Sequence, residues 1–279
     1  MSVARALLAA ASARLAAAGV ADPARDARLL LAHALGLTPD RLTLVLGDPL
    51  SAGAAERFEG LLTERARRRP VSQIIGRRAF WGREFHVTRD VLDPRPETET
   101  LIASALAGPP ARRLLDLGTG SGILLVTLLA EWPGATGIGT DLSVEALRIA
   151  GANALRHRVA ERAAFRETDW AEGISGPFDL IVSNPPYIPE AEVSSLAPEV
   201  REWEPRAALT AGVTGLEAYA RIAADLSRLL APGGRVLLEF GAGQGPGLDE
   251  IFRARGFAAL NFAKDLDGRD RILVIEQRE

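Results

Sequence analysis

The spacing of hydrophobic and polar positions changes along the chain and divides it into three stretches. Over residues 1–72 the apolar positions recur three or four residues apart, which is typical of short amphipathic helices. Residues 73–95 combine β-forming side chains with glycines and predict a β-hairpin. Beyond residue 96, strand-like and helix-like segments alternate. The pattern therefore predicts an N-terminal helical bundle (1–72), a linking hairpin (73–95) and an α/β domain (96–279).

Seven strand-like segments define the α/β domain. Helical patterns lie between most of them, so we predict a doubly wound, mostly parallel, seven-stranded Rossmann-like sheet. A short connection joins the last two segments, which should therefore pair antiparallel. The segments are 112–116, 136–140, 163–166, 178–183, 235–240, 257–263 and 271–276.

Composition narrows the chemistry that these elements can support. The 279 residues include no Cys, three His and a single Met, and the formal net charge is −3. Disulfides, thiolate metal sites and cysteine nucleophiles are excluded, so we expect no metal and a reaction that relies on a cofactor. Residues 111–279 hold 18 basic and 24 acidic side chains, which argues against nucleic acid as a partner. No apolar run reaches the length of a membrane span, and we expect a cytoplasmic protein.

A glycine-rich turn follows the first strand of the predicted sheet. Glycine there allows positive φ and lets a ligand approach the backbone closely. The spacing G-x-G-x-G differs from the dinucleotide pattern G-x-G-x-x-G and favours S-adenosylmethionine over NAD. Asp116, at the end of the strand, can face the amine of that cofactor. The predicted cofactor-binding residues of the turn are Gly118, Thr119, Gly120, Ser121 and Gly122.

The next two strands end in further candidates for the cofactor. Asp141 closes the second strand, 23 residues after Gly118, where an acid can accept hydrogen bonds from both ribose hydroxyls. After the third strand, Trp170 can stack on adenine and Asp169 can bind its exocyclic amine. The alternatives are a plain tight turn at the glycines, a helix cap at Asp141 and a core position for Trp170.

Asn184-Pro185-Pro186-Tyr187 follows the fourth strand, at the edge where ligand sites of parallel sheets form. The two prolines remove backbone donors, the asparagine adds an oxygen acceptor, and the tyrosine adds a flat wall. Such a set suits a planar NH2 group, whose two N–H bonds can be held by Asn184 Oδ1 and the Pro185 carbonyl. The turn therefore predicts methyl transfer to nitrogen by positioning, without a strong base. The alternative is a proline turn without chemistry.

Seven motifs then occur in order along nearly the whole chain, and together they resemble one family. They are PRPETE (94–99), LLDLGTGSG (114–122), TDLSVEAL (140–147), SNPPYI (183–188), PEVREWEPRAAL (198–209), GLEAYARI (215–222) and KDLDGRDR (264–271). In this combination the chain resembles the peptide chain release factor glutamine methyltransferases, which belong to the class I S-adenosylmethionine-dependent methyltransferases.

The resemblance implies a reaction and roles for particular residues. The reaction would be N5-methylation of the glutamine in the Gly-Gly-Gln motif of class 1 release factors, with S-adenosylhomocysteine as product. The glycine turn would line the methionyl moiety, Asp141 would hold the ribose, and Trp170 would lie beside the adenine. Asn184 would contact cofactor and substrate. The glutamine slot would be shaped by Pro185, Pro186 and Tyr187. The N-terminal bundle would recognise the release factor, and we expect a monomer.

Two other functions stay open from the residues alone. A nucleic-acid methyltransferase acting on exocyclic amino groups would share the Asn-Pro-Pro-Tyr slot but should carry a basic groove. A non-catalytic adenosine-binding protein would not need the acceptor pair at Asn184.

Several charged segments also admit two interpretations. Glu239 is either a buried, hydrogen-bonded acid or a substrate contact, and residues 189–213 should contact the protein substrate. One basic run is either a solvated helix end or a contact with the release factor: Arg65, Arg67, Arg68 and Arg69. Another group either flanks the cofactor or caps the following helix: Arg95, Glu97 and Glu99.

Overall fold

The computed structural model describes residues 4–258, 260–265 and 267–276, and it divides into two compact units. The first unit runs to Arg77 and also includes Ala197–Trp203. The second unit holds Arg78–Leu196 and the described residues from Glu204 onward. Residues 259 and 266 lie outside the described residues, so the predicted strand 257–263 and the motif at 264–271 are each described except for one position.

The described part of the first unit up to Arg77 contains four α-helices, and polar caps start two of them. The Arg25 amide donates to Asp22 Oδ1 at 3.3 Å, and the Ala54 amide donates to Ser51 Oγ at 3.3 Å. Apolar residues at helical spacing form the core, including the fully buried Leu30. The helices are α1 (Ala4–Ala17), α2 (Pro23–Ala34), α3 (Ala52–Ala66) and α4 (Val71–Ile75), with a 3-10 helix at Arg41–Val45.

The basic run at the end of α3 is an anchor inside the first unit. Arg65 is buried and pairs with Asp26 at 2.7 Å and with Glu199 at 3.0 Å. Arg68 pairs with the other oxygen of Glu199 at 2.6 Å. Glu199 belongs to the short helix α8 (Pro198–Arg201). The interpretation of this run as a solvated helix end is therefore wrong for Arg65 and Arg68, since their charges pair with Glu199 and hold residues 197–203.

The second unit is built on a seven-stranded sheet in the order β5-β4-β3-β6-β7-β9-β8. The first five strands in that order run parallel, and β9 pairs antiparallel with both β7 and β8. The predicted mostly parallel sheet with an antiparallel final pair is confirmed. Its strands are β3 (Arg113–Leu117), β4 (Thr136–Asp141), β5 (Ala163–Glu167), β6 (Phe178–Ser183), β7 (Leu230–Glu239), β8 (Leu260–Lys264) and β9 (Asp270–Glu276). The predicted hairpin is a separate pair, β1 (Arg77–Phe80) and β2 (Arg83–His86).

Helices cover both faces of this sheet because its strands are apolar on both sides. Leu114 packs in one buried cluster with the first group of helices, and the adjacent Leu115 packs in a second cluster with the other group. The first group is α5 (Glu99–Leu106), α6 (Ile123–Glu131) and α7 (Val144–Arg156). The second group is α9 (Glu217–Leu229) and α10 (Gly245–Ala254).

One strand begins earlier than the apolar pattern predicts. β7 starts at Leu230, which pairs with Phe178, whereas the pattern placed its start at residue 235. The register then shifts, and Leu180 pairs with Arg235. The Pro-Gly-Gly segment between the two pairings bulges out of the ladder, which explains why it does not show the alternation of a strand. Within the described residues, no helix is long and apolar enough to cross a membrane.

Candidate active site

A cavity opens at the carboxyl ends of β3, β4 and β6, which are neighbours in the sheet. Parallel strands end at the same edge, so this topology brings three turns that are far apart in sequence to one place. Nine of the twelve predicted site residues line the cavity: Gly118, Thr119, Gly120, Ser121, Asp141, Asp169, Trp170, Asn184 and Pro186. The other three, Gly122, Pro185 and Tyr187, are not part of its wall.

The glycines of the turn after β3 serve two different purposes. Gly120 has φ 55°, and a Cβ built there would meet no atom within 4 Å, so its backbone faces open space. Gly122 has φ 80° and precedes α6, and its Cβ would lie 3.0 Å from the Ala150 side chain. The structure therefore leaves Gly120 open to a ligand and uses Gly122 for the close packing of α6 against α7.

Asp141 holds the same turn from the neighbouring strand. Its Oδ2 accepts the Gly120 amide and its Oδ1 accepts the Ser143 amide, each at 2.9 Å. The cap of α7 is Ser143, whose Oγ accepts the Ala146 amide at 3.1 Å, so the alternative interpretation of Asp141 as that helix cap is wrong. Each carboxylate oxygen keeps a free acceptor position beside the cavity.

Asp116 does not face the cavity, and the expectation that it meets the cofactor amine is wrong. Its side chain is fully buried, and Oδ2 accepts the Thr119 hydroxyl at 2.6 Å and the Leu125 amide at 3.3 Å. Burial raises the pKa of Asp116 to about 7, although the hydrogen bonds from Thr119 and Leu125 act in the opposite direction. This acid therefore fastens the glycine turn from beneath.

Two residues after β5 form another part of the cavity wall. Trp170 packs against the apolar cluster beneath α9 and also lines the cavity, so its core and ligand-facing interpretations are both compatible with the structure. Asp169 Oδ2 pairs with Arg221. Asp169 Oδ1 is buried and has no hydrogen-bond partner among the described residues. It is thus an acceptor available to a donor bound in the cavity.

The Asn-Pro-Pro-Tyr turn presents one unsatisfied acceptor. Asn184 Nδ2 donates to Thr98 Oγ1 at 3.2 Å, whereas Asn184 Oδ1 is buried without a partner in the part of the chain that the structure describes. Pro186 lines the cavity and Pro185 is buried behind it. Burial raises the pKa of Tyr187 to about 12, so its phenol is protonated at neutral pH and is not a base.

An ion pair with a buried carboxylate lies at the cavity wall. Arg95 Nη2 donates to both carboxylate oxygens of Glu204, at 2.6 and 2.8 Å. Burial raises the pKa of Glu204 to about 7, although the charge of Arg95 lowers it. Among the three residues left open by the sequence, Arg95 lines the cavity and Glu99 accepts the Trp81 amide at 2.8 Å. The acid within the Trp-Glu-Pro segment could have indicated Glu204 as a candidate from the sequence. Its partner Arg95, however, lies 109 residues away in the chain.

Sequence reasoning also missed a buried asparagine that supports the glycine turn. Asn153 is fully buried in α7, and its Nδ2 donates to the carbonyls of Ser121 at 2.8 Å and His86 at 3.0 Å. Its Oδ1 accepts the His86 amide at 2.7 Å. Asn153 could have been found from the sequence, because it is a polar residue on the apolar face of a predicted helix.

Comparisons with known proteins assign the chain to a family. Residues 6–76 match the family model described as the PrmC N-terminal domain, and residues 91–199 match the methyltransferase small domain. The release factor glutamine methyltransferase of Cereibacter sphaeroides is 56% identical over 93% of this chain and 93% of its own. That of Rhodospirillum rubrum is 44% identical over 95% of this chain and 82% of its own.

The fold also matches a solved methyltransferase. A crystal structure of a methyltransferase from Pyrococcus furiosus aligns with a TM-score of 0.55 at 16% identity, covering 81% of this chain and 100% of that one. At that identity the likeness concerns the fold alone, whereas the two curated relatives carry the family assignment. The chain belongs to the release factor glutamine methyltransferase family.

Proposed function

We propose that this protein transfers the methyl group of S-adenosylmethionine to the side-chain amide nitrogen (N5) of the glutamine in the Gly-Gly-Gln motif of class 1 release factors. The observation that carries the proposal is the buried, unpartnered Oδ1 of Asn184 at the cavity wall. An unsatisfied buried acceptor destabilises a protein by about 1–3 kcal/mol, so its presence favours a donor supplied by the substrate. The curated relatives carry the corresponding name.

The cavity fits S-adenosylmethionine. Asp169 Oδ1 is an unused acceptor for the adenine amine, and Trp170 offers an aromatic face to the base. Asp141 has free acceptor positions for the ribose hydroxyls, and the open backbone at Gly120 leaves room for the methionyl part. When bound, S-adenosylmethionine supplies an electrophilic methyl carbon on a sulfonium sulfur.

The acceptors of the Asn-Pro-Pro-Tyr turn orient the nucleophile. Asn184 Oδ1 would accept one N–H of the glutamine amide, and the carbonyl of the adjacent Pro185 would accept the other, although Pro185 does not line the cavity in this structure. Held in this way, the nitrogen lone pair can form the new N–C bond as the S–C bond breaks. The nitrogen then carries a positive charge and releases its extra proton to water, so no strong base is needed. Positioning of this kind supplies roughly 7–11 kcal/mol at best.

The charge distribution favours a protein substrate over nucleic acid. Residues 111–279 carry six more acidic than basic side chains, which would repel a phosphate backbone. Residues 1–76 carry ten arginines and seven acids, and we infer that this region recognises the release factor. We expect the protein to act as a monomer in the cytoplasm, where its substrate takes part in translation.

The test is methyl transfer from labelled S-adenosylmethionine with several acceptors offered in parallel. They are a purified class 1 release factor, the same factor with the loop glutamine changed to alanine, tRNA and DNA. We expect label on the unmodified release factor alone. Label on nucleic acid and none on the release factor would refute the proposal and favour a nucleic-acid methyltransferase that acts on exocyclic amino groups.

A further inference from the structure

Three buried side chains from three different elements meet beneath the Asn-Pro-Pro-Tyr turn. Ser183 of β6 pairs with Leu238 of β7, so the next residues of these parallel strands, Asn184 and Glu239, lie side by side at the carboxyl edge. Thr98 ends a 3-10 helix that begins at Pro96, within the PRPETE motif. Thr98 is fully buried and Glu239 is 2% exposed. Their polar atoms are shielded from water, and Glu239 Oε2 has no hydrogen-bond partner among the described residues.

The hydrogen bonds of this cluster have a defined direction. Asn184 Nδ2 donates to Thr98 Oγ1 at 3.2 Å. The Thr98 hydroxyl has one hydrogen, and the side chains of both Thr98 and Asn184 lower the pKa of the neighbouring Glu239 carboxyl, as hydrogen-bond donors to it do. An ionised carboxylate only accepts, so that hydrogen goes to Glu239 and the hydroxyl lone pairs are left for Asn184. If the Asn184 amide were rotated by half a turn, its oxygen would face those lone pairs without a hydrogen between them.

We propose, resting on the function proposed above, that Glu239 and Thr98 are positioning residues which fix the orientation of the Asn184 amide. Thr98 Oγ1 and the Glu239 carboxylate hold Nδ2 on one side, so that Oδ1 is the atom presented to the glutamine amide. This explains why Oδ1 is the buried atom without a partner. Neither residue touches the reacting atoms; both act through Asn184.

The ionisation of Glu239 sets this direction, because a protonated carboxyl can donate to Thr98 instead of accepting from it. Burial raises the pKa of Glu239 to about 7, whereas the hydrogen bonds from Thr98 and Asn184 lower it. Above that pH the carboxylate only accepts, and the orientation of the amide is fixed. Below about pH 7 the direction of these hydrogen bonds can reverse, and the Asn184 amide can then present Nδ2 to the substrate.

Other charged and titratable groups face Glu239 from the elements around it. Arg271 on β9 lowers the pKa of Glu239 through its positive charge, and Glu97 raises it. Tyr187 and Tyr219 also interact with Glu239, and burial raises the pKa of both phenols, so they stay neutral near pH 7. Arg271 stays charged and both tyrosines stay neutral near pH 7, so the Glu239 carboxyl is the group of this cluster that is expected to titrate there.

The orientation can be measured without any methyl transfer. The chain has three asparagines, so selective 15N-asparagine labelling gives three side-chain amide signals, and Asn184→Ala assigns the one of interest. We expect the Asn184 amide protons to exchange slowly with solvent and their shifts to titrate near pH 7. Glu239→Gln should abolish that titration, and Thr98→Val should reduce it, because the Thr98 hydroxyl provides one of the two contacts that hold Nδ2. An unchanged titration in both variants would overturn the proposal.

Thr127→Val is the matched control for the threonine substitution. Thr127 is also fully buried, but it lies in α6, and its hydroxyl has no hydrogen-bond partner among the described residues. We therefore expect the Asn184 signal and its titration to persist in Thr127→Val. Their loss in this variant would show that removal of any buried hydroxyl has the same effect, and this result would overturn the proposal.

Kinetics with the release factor complete the test. Thr98→Val should lower kcat about threefold to tenfold with little change in the KM for the cofactor, because one orienting hydrogen bond is lost. Thr98→Ser, which keeps the hydroxyl, should restore most of the loss. We expect kcat of the wild-type protein to decline below pH 7, and this decline should be weaker in Glu239→Gln. If the wild-type protein methylates the release factor and these variants match it, the positioning role is wrong.

The two arms separate this inference from the proposed function. A wild-type protein that does not methylate the release factor would refute the function, whereas the amide signals would still report how Asn184 is held. If the Asn184 signals titrate in the wild-type protein and this titration is reduced or lost in the Thr98 and Glu239 variants, the positioning role is supported in that case as well.

Discussion

The two turns at the carboxyl edge of the sheet offer opposite chemistry to the same cavity. The turn after β3 is built from glycines, and its backbone is open to a ligand at Gly120. The turn after β6 contains two prolines, which remove backbone donors. It leaves one buried acceptor, Asn184 Oδ1, without a hydrogen-bond partner among the described residues. One turn suits a bulky ligand that needs space, and the other suits a substrate that brings its own donors.

Both turns are held from beneath by a buried acid, but the connection differs. Asp116 accepts directly from Thr119 within the glycine turn. Glu239 lies beside Asn184 and Thr98, and Asn184 Nδ2 donates to Thr98 Oγ1 at 3.2 Å. The bonds to Asp116 fix the course of the backbone, whereas the contacts with Thr98 and Glu239 set the direction of a side-chain amide. The comparison indicates that substitutions in the first turn affect binding and folding, and substitutions in the second affect turnover.

Asn184→Ala should produce the largest effect. It removes the oxygen that holds the nucleophile, and loss of one positioned hydrogen-bonding group of this kind typically lowers kcat about 10²- to 10³-fold. Cofactor affinity, measured by calorimetry, should change far less than kcat. Asn261→Ala, at an exposed position on β8, is the control and should keep normal turnover. Near-normal turnover in Asn184→Ala would contradict the role of the acceptor.

Asp141→Ala should weaken cofactor binding with little effect on kcat at saturating cofactor. Hydrogen bonds to a charged group contribute about 1.5–3 kcal/mol, so we expect the dissociation constant to rise about 10- to 100-fold. Asp179→Ala is the control, because Asp179 also accepts two backbone amides, those of Arg112 and Arg113, but does not line the cavity. Equal losses of affinity in both variants would contradict the assignment of Asp141.

Gly120→Ala and Gly122→Ala should separate the two purposes within the glycine turn. Both positions have positive φ, which destabilises a non-glycine residue by about 1–2 kcal/mol. Gly122→Ala should lose more unfolding free energy, because its methyl group meets Ala150. Gly120→Ala should lose more cofactor affinity, because its methyl group enters the cavity. Denaturant titration and calorimetry measure the two quantities, and identical profiles would contradict the division.

The sequence predicts the sheet and most of the cavity wall because these follow from local patterns. Strand ends, glycines and prolines are contiguous in sequence, and parallel strands bring their ends to one edge. The predictions failed where a partner lies far away in the chain. Arg65 reads as part of a basic surface run until Glu199, 134 residues later, is seen to pair with it. Asp116 and Asp141 read alike as strand-end acids, and burial alone separates their roles.

The buried acid of the glycine turn should reveal itself in the pH dependence of stability. Burial raises the pKa of Asp116 to about 7 from its usual value of 3.8. Between these values the folded protein keeps a proton that the unfolded chain has released, so the unfolding free energy falls as the pH rises. One such group contributes a slope of at most about 1.4 kcal/mol per pH unit.

Asp116→Asn should remove this contribution, as measured by chemical denaturation of the cofactor-free protein at pH 5 and pH 7. Thr119→Val should instead extend to higher pH the range over which the unfolding free energy falls. The reason is that it deletes the 2.6 Å hydrogen bond that favours the ionised Asp116 carboxylate. The difference in unfolding free energy between the two pH values should thus be smaller in Asp116→Asn than in the wild-type protein. An unchanged difference would mean that Asp116 is ionised throughout, and that the glycine turn is held by a charge.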